Sequence, residues 1–133
     1  MEKKAKMEIA GFLSCVFMGG LFGLVSQIMT SREDRRQKAK MSNDGFLTSI
    51  NDWNEIAKEE NKKKIPSYMV VRYEMAAETA MKTGKKKDLK SMLKAMIDIS
   101  EFQQSQLNAF EKSQLHLSTD YMDYIKAKAF INS

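Results

Sequence analysis

The chain of 133 residues carries 22 Lys/Arg against 17 Asp/Glu, a net charge of +5, with one cysteine, one histidine and one proline. A single cysteine excludes an intramolecular disulfide, so the sequence is not that of a disulfide-stapled secreted domain. The basic excess is weaker than the concentrated stripe typical of a nucleic-acid-binding protein. The length allows one domain.

Near the amino terminus, a long apolar run predicts a transmembrane helix from Glu8 to Met29. The 21 residues from Ile9 to Met29 carry no charge. As a helix they would extend about 31 Å, which matches a hydrocarbon core about 30 Å thick. A cleaved signal peptide fits less well, because the run is too long and Leu24 stands where the best cleavage site needs a small residue. Residues 1–30 are therefore predicted to be a membrane anchor.

Small residues recur at every fourth position of this segment and would form one stripe along the helix. The stripe consists of Gly11, Cys15, Gly19 and Gly23. Small side chains let membrane helices approach closely, so the stripe predicts docking on a helix of a second copy or of a different membrane subunit. Glycine is also frequent in membrane helices without such a role.

A charged stretch follows, and residues 31–42 are predicted to be a juxtamembrane helix or linker. Its basic residues are Arg32, Arg35, Arg36, Lys38 and Lys40. Basic side chains next to a membrane anchor predict contact with anionic phospholipid headgroups. Their number relative to the lysines before the anchor slightly favours a cytoplasmic location for the C-terminal part.

Residues 43–133 are predicted to form a soluble bundle of three or four helices, so the fold class is all-α. Ser42 to Gly45 predict a helix break, with Asn43 or Asp44 as the N-cap of the next helix. Apolar residues then recur at helical spacing from Phe46 to Ala57. No part of the sequence alternates apolar and polar residues over a strand's length.

Three further boundaries follow from helix start and stop signals. A helix is expected from Ser67 to Thr83, with Pro66 in its first turn and Gly84 as its stop. The longest helix is expected from Lys87 or Asp88 to Leu115, because apolar residues continue at helical spacing beyond a polar patch. Ser118 or Thr119 is expected to cap a last helix.

Two lysine triplets flank the predicted helix after Pro66. They are Lys62–Lys64 and Lys85–Lys87, and a helix of that length holds them about 25 Å apart. They are either two solvated loops, or one of them contacts lipid headgroups together with the arginines of the juxtamembrane stretch.

No residue pattern predicts catalysis, a cofactor, a metal site, a small-molecule substrate or nucleic-acid binding. His116 has no identifiable partner for a ligand or base role. The acidic pairs Glu59–Glu60 and Asp120–Asp123 lie in hydrophilic stretches near predicted helix ends, where carboxylates commonly face solvent or offset the helix dipole.

The sequence thus favours a non-enzymatic, single-pass subunit or scaffold of a membrane assembly. A bacterial inner membrane, or the membrane of a virus or phage, is the expected setting. The alternative is a membrane-tethered regulator or inhibitor whose helical part binds a soluble partner. A pore-forming or lysis protein is a third hypothesis, which a single span without a charged face favours less.

Overall fold

A computed structural model describes residues 31–132; the predicted anchor and its small-residue stripe lie outside this range. The described part contains five α-helices and no strand, which confirms the all-α class. The helices are α1 (Arg32–Glu59), α2 (Ser67–Thr83), α3 (Lys86–Ser105), α4 (Ala109–His116) and α5 (Thr119–Ile131). Within this range, none of the helices combines the length and apolar character that crossing a membrane requires.

Helix α1 is continuous over 28 residues, so the break predicted at Ser42–Gly45 is wrong. Its buried face runs through that position from Ala39 to Phe46 and Trp53, which are seven residues apart. Asn43 does not act as a cap, because its side-chain oxygen accepts a 2.7 Å hydrogen bond from the Tyr73 hydroxyl. Burial of a continuous apolar face outweighs the weak local preference of these polar residues for a helix end. The boundary drawn after residue 42 therefore falls inside α1.

The limits of helix α2 in the structure, Ser67 and Thr83, are the predicted ones. Pro66 occupies the N-cap position, and Gly84 ends the helix in the left-handed conformation with φ of 63°. The Gly84 amide donates to the carbonyl of Ala80, which satisfies one of the last carbonyls of the helix.

The long helix predicted as far as Leu115 is wrong in its second half, because α3 ends at Ser105 and α4 begins at Ala109. Asn108 and Glu111 form a capping box, in which the Asn108 side chain accepts from the Glu111 amide and the Glu111 carboxylate accepts from the Asn108 amide. The spacing Asn-x-x-Glu was the signal for this start. Ser118 caps α5 as predicted. The described bundle thus has five helices instead of three or four.

The helices pack around one core. Helix α2 packs against both α1 and α3, and α3 packs against α5. Helices α1 and α2 are antiparallel, because Arg36 near the start of α1 contacts Met81 near the end of α2. Helices α3 and α5 are also antiparallel, because Lys90 near the start of α3 contacts Phe130 near the end of α5. The largest fully buried side chains include Trp53, Tyr73, Phe46, Leu89, Met92, Leu93, Met96 and Ile97.

The bundle has two ends with different residues. The basic end comprises residues 31–37, at the start of α1, and residues 82–88, at the turn from α2 to α3. The distal end comprises the α1–α2 loop and the α3–α4 turn, which are joined by a 3.3 Å hydrogen bond from the Lys63 amide to the Gln106 side chain.

Candidate functional site

The basic end is built by close contact between the α2–α3 turn and the first turns of α1. Gly84 lies so near α1 that a Cβ at this position would stand 2.3 Å from the backbone oxygen of Arg32. Only a residue without a side chain permits this approach, and glycine also adopts the left-handed conformation readily. The turn is therefore held against α1 by backbone contact.

Two arginines of α1 fasten the same turn from the side. The Arg35 Nε donates a 2.6 Å hydrogen bond to the carbonyl of Gly84, and the Arg36 Nε donates a 3.1 Å bond to the carbonyl of Met81. Cationic donors at the last carbonyls of a helix also interact favourably with its dipole. The side chain of Arg35 is buried and that of Arg36 half-buried, so both act as caps for α2.

The basic end carries the whole excess positive charge of residues 31–133. Its two segments contain seven basic residues against three acidic ones, whereas the other residues from 38 onward contain twelve of each sign. Five of the basic residues are exposed: Arg32, Lys82, Lys85, Lys86 and Lys87. Folding thus brings two basic segments that are far apart in the sequence together into one positive surface.

The three acidic residues of the basic end are too few to neutralise its positive charge. The Glu33 carboxylate accepts from the Gln37 amide at 3.0 Å and pairs with Arg36 at 3.1 Å. The Gln37 hydrogen bond, followed by the charge of Arg36, lowers the pKa of Glu33. Asp88 accepts a hydrogen bond from the Thr83 hydroxyl, and Asp34 is exposed in the first turn of α1.

The predicted lipid-contacting residues divide between two roles. Arg32, Lys38 and Lys40 are exposed, and headgroup contact stays a prediction for them. Arg35 and Arg36 hold the α2–α3 turn. The structure adds Lys85–Lys87, which the sequence marked as a charge feature without showing which triplet lies near the arginines.

The other triplet, Lys62–Lys64, lies at the distal end, where it makes contacts between helices of the bundle. The Lys62 ammonium forms a 2.6 Å ion pair with the Glu111 carboxylate, and the two side chains are 11% and 5% exposed. The backbone carbonyl of Lys63 accepts a 3.0 Å hydrogen bond from the Trp53 indole. This triplet therefore joins α1 to α4 at the distal end.

A second polar cluster links α3 to α5. The Glu101 carboxylate accepts from the Tyr124 hydroxyl and, at 2.6 Å, from the Lys128 ammonium. Burial raises the pKa of Glu101, but the bonds from Lys128 and Tyr124 outweigh burial, so the pKa lies below its ordinary value of 4.5. Burial, followed by the contact with Glu101, raises the pKa of Tyr124. The pKa of Lys128 is raised chiefly by its hydrogen bond to Glu101.

Three other features that could mark a chemical site are His116, clusters of metal-binding side chains and surface clefts. His116 is exposed, and its ring centroid lies 4.4 Å from that of Tyr121. Among the described residues, no three His, Cys, Asp or Glu side chains are grouped so that they could hold a metal ion. A surface cleft of about 440 Å³ lies near the distal end and is lined by Asn51, Asn54, Glu55, Lys58 and Lys64.

One helix face is apolar and exposed, and we call it the α2 stripe. It consists of Tyr68, Val71 and Met75, which are 61%, 54% and 66% exposed. Their spacing of three and four residues places them on one side of α2. The opposite side packs into the core through Tyr73, where burial, followed by the nearby acidic residues, raises the pKa of the phenol.

Comparison of the chain with family models, with curated proteins and with solved structures gave no match. The function is therefore inferred from the charges and contacts of the chain itself.

Proposed function

We propose that this protein is a non-enzymatic, single-pass membrane subunit or scaffold. Its N-terminal helix docks on another membrane helix through Gly11, Cys15, Gly19 and Gly23. Its helical bundle stands directly on the membrane surface and presents the α2 stripe to a helix of the same assembly.

The α2 stripe is the observation that carries this proposal. Three large apolar side chains are more than half exposed on a helix whose other side is packed into the core. Apolar groups that adjoin one another on a surface are stabilised when a partner buries them. Spacing of three and four residues is also the spacing at which one helix contacts another.

The geometry of the chain supports a position close to the membrane. Helix α1 begins at Arg32, three residues after Met29, the last residue of the predicted anchor. Three residues span at most about 11 Å of extended chain. The bundle therefore has little freedom to move away from the membrane that holds the anchor.

The perturbed ionisable groups support a role without chemistry. Shifted pKa values often mark catalytic groups, but ion-pair networks and burial produce them too. Glu101, Tyr124 and Lys128 shift one another's pKa values, and burial in the core shifts the pKa of Tyr73. Packing between helices accounts for each of these shifts.

The test is purification of the full chain in mild detergent, followed by native mass spectrometry of the complex. We expect Gly19→Leu with Gly23→Leu to separate the complex, because leucine prevents close helix approach. Gly20→Leu is the matched control, since it lies one residue away and off the stripe. Retention of the complex by the Gly19/Gly23 variant would contradict docking through the anchor.

The second arm tests the α2 stripe with two matched methionines. Met75 on the stripe is 66% exposed, and Met41 on α1 is 65% exposed. We expect Met75→Asp to weaken the complex and Met41→Asp to leave it intact. A complex that depends on Met75 but not on Gly19 and Gly23 would favour the tethered regulator, whose anchor serves only for localisation.

A further inference from the structure

We propose that the basic end is a binding surface for anionic phospholipid headgroups, with the ammonium groups of Lys85–Lys87 as its contacts. The proposal rests on the membrane anchor of the proposed function and adds a second attachment. With two attachments, the bundle is held in one orientation relative to the bilayer.

The lysine triplet lies at the end of the bundle that adjoins the predicted anchor. The α2–α3 turn lies against the first turn of α1, where a Cβ on Gly84 would be 2.3 Å from the Arg32 oxygen. Arg32 follows the predicted anchor by three residues, within about 11 Å of its end. The lysine triplet, 53 residues further along the sequence, therefore returns to the membrane side of the bundle.

The excess positive charge of residues 31–133 is concentrated at the same end. Twelve basic and twelve acidic residues balance over the other residues from 38 onward, and the seven-to-three excess is confined to the basic end. Anionic lipids attract basic side chains only within about a Debye length of the surface, roughly 8–10 Å. The positive surface, about 11 Å or less from the end of the predicted anchor, thus lies close to the range over which the attraction acts.

The turn that carries the lysines is held against α1. Hydrogen bonds from Arg35 and Arg36 to the end of α2 hold the turn in place, and Thr83 contacts Asp88 across it. The lysines therefore keep their position relative to α1 before any lipid binds. Less conformational entropy is lost on binding when the contacting groups are already positioned.

The residue types favour a lipid surface over a nucleic acid. Neither segment of the basic end contains an aromatic residue, and four of its five exposed basic residues are lysines. Nucleic-acid sites usually add stacking aromatics or planar donors to their basic residues. Compact ammonium groups at a fixed height above a bilayer need neither.

The experiment is lysine footprinting of the full chain in lipid nanodiscs. An amine-acylating reagent is applied in discs of phosphatidylcholine alone and in discs that also contain phosphatidylglycerol, and each lysine is quantified by peptide mass spectrometry. We expect Lys85–Lys87 to react several-fold more slowly in the anionic discs. Lys63 and Lys64, exposed at the distal end of the same molecule, are the internal control and should react equally in both discs.

A matched pair of variants tests whether the positive charge is the cause. Lys86→Gln with Lys87→Gln should raise the reactivity of Lys85 in anionic discs, whereas Lys63→Gln with Lys64→Gln should not. Added salt should abolish the protection in the unmodified chain, because screening weakens attraction to a charged surface.

Equal reactivity of Lys85–Lys87 in the two kinds of disc would overturn the proposal. Protection that arises only when an oligonucleotide is added to zwitterionic discs would also overturn it, in favour of a nucleic-acid partner. Failure of the chain to enter discs at all is detected before labelling, and it would instead refute the membrane anchor of the proposed function.

Discussion

The Nε of Arg35 donates a 2.6 Å hydrogen bond to the backbone carbonyl of Gly84, 49 residues further along the chain. This bond joins the first turns of α1 to the end of α2, and it fixes which loop lies beside the start of the bundle. A residue that the sequence assigns to the membrane surface is thus used to position the lysines that follow Gly84.

Replacement of Arg35 by methionine tests this relationship. We expect the free energy of unfolding to fall by about 2 kcal/mol, because a hydrogen bond from a charged donor is lost and the carbonyl stays covered. Lys38→Met, on an exposed position of the same helix, should change stability by no more than about 0.5 kcal/mol. Urea unfolding of the full chain in detergent, followed by circular dichroism, measures both. Equal effects would show that Arg35 has no special role.

Replacement by alanine should change the stability of the protein in opposite directions at Gly84 and Gly45. Gly84 has φ of +63°, and its Cβ would meet the Arg32 oxygen at 2.3 Å. The left-handed conformation alone costs a residue with a Cβ about 1–2 kcal/mol, so Gly84→Ala should destabilise by at least that amount. Gly45 is exposed within continuous α1, and Gly45→Ala should stabilise by about 0.5–1 kcal/mol. Destabilisation by Gly45→Ala would contradict an uninterrupted α1.

The ion pair between Lys62 and Glu111 should be sensitive to the loss of either partner. Lys62→Met leaves a nearly buried carboxylate without its cation, and loss of one partner of such a pair typically costs about 3–5 kcal/mol. Lys63→Met is the adjacent control, because the Lys63 side chain is exposed and only its backbone makes the described hydrogen bonds. If thermal melting shows the same loss for both variants, the ion pair does not stabilise the distal end.

The Glu101 cluster predicts an acid-dependent component of stability. The pKa of Glu101 is lower in the folded protein than its ordinary value of 4.5, so the folded state prefers the carboxylate. This contribution is complete above the unfolded pKa and is lost as the pH falls through the folded pKa. The difference in unfolding free energy between the natural chain and Glu101→Gln should therefore shrink below about pH 4.5.

Tyr124→Phe provides the matched variant for the same titration. It keeps the ring and removes one hydrogen bond to the carboxylate, so the pKa of Glu101 in the folded protein is lowered less. The acid-dependent loss of stability should therefore be smaller, and complete at a higher pH, than in the natural chain. Parallel curves of unfolding free energy against pH for the natural chain and Glu101→Gln would disprove the contribution of this cluster.

Local sequence signals determined part of this fold. Helix α2 was predicted between its true limits, because Pro66 and Gly84 act through backbone conformation alone. Ser118 was likewise predicted as the cap of α5. The all-α class followed from helical spacing of apolar residues. The uncharged run from Ile9 to Met29 predicts a membrane anchor from its length and composition alone.

Only the tertiary structure decided the rest. The polar residues around Asn43 resemble a helix break, but burial of Ala39, Phe46 and Trp53 in the core keeps α1 continuous. The partner of a charged residue is equally hidden from local patterns, because it is set by long-range packing. For that reason the sequence could not show that Lys62 pairs with Glu111, or that Lys85–Lys87 return to the arginines that follow the predicted anchor.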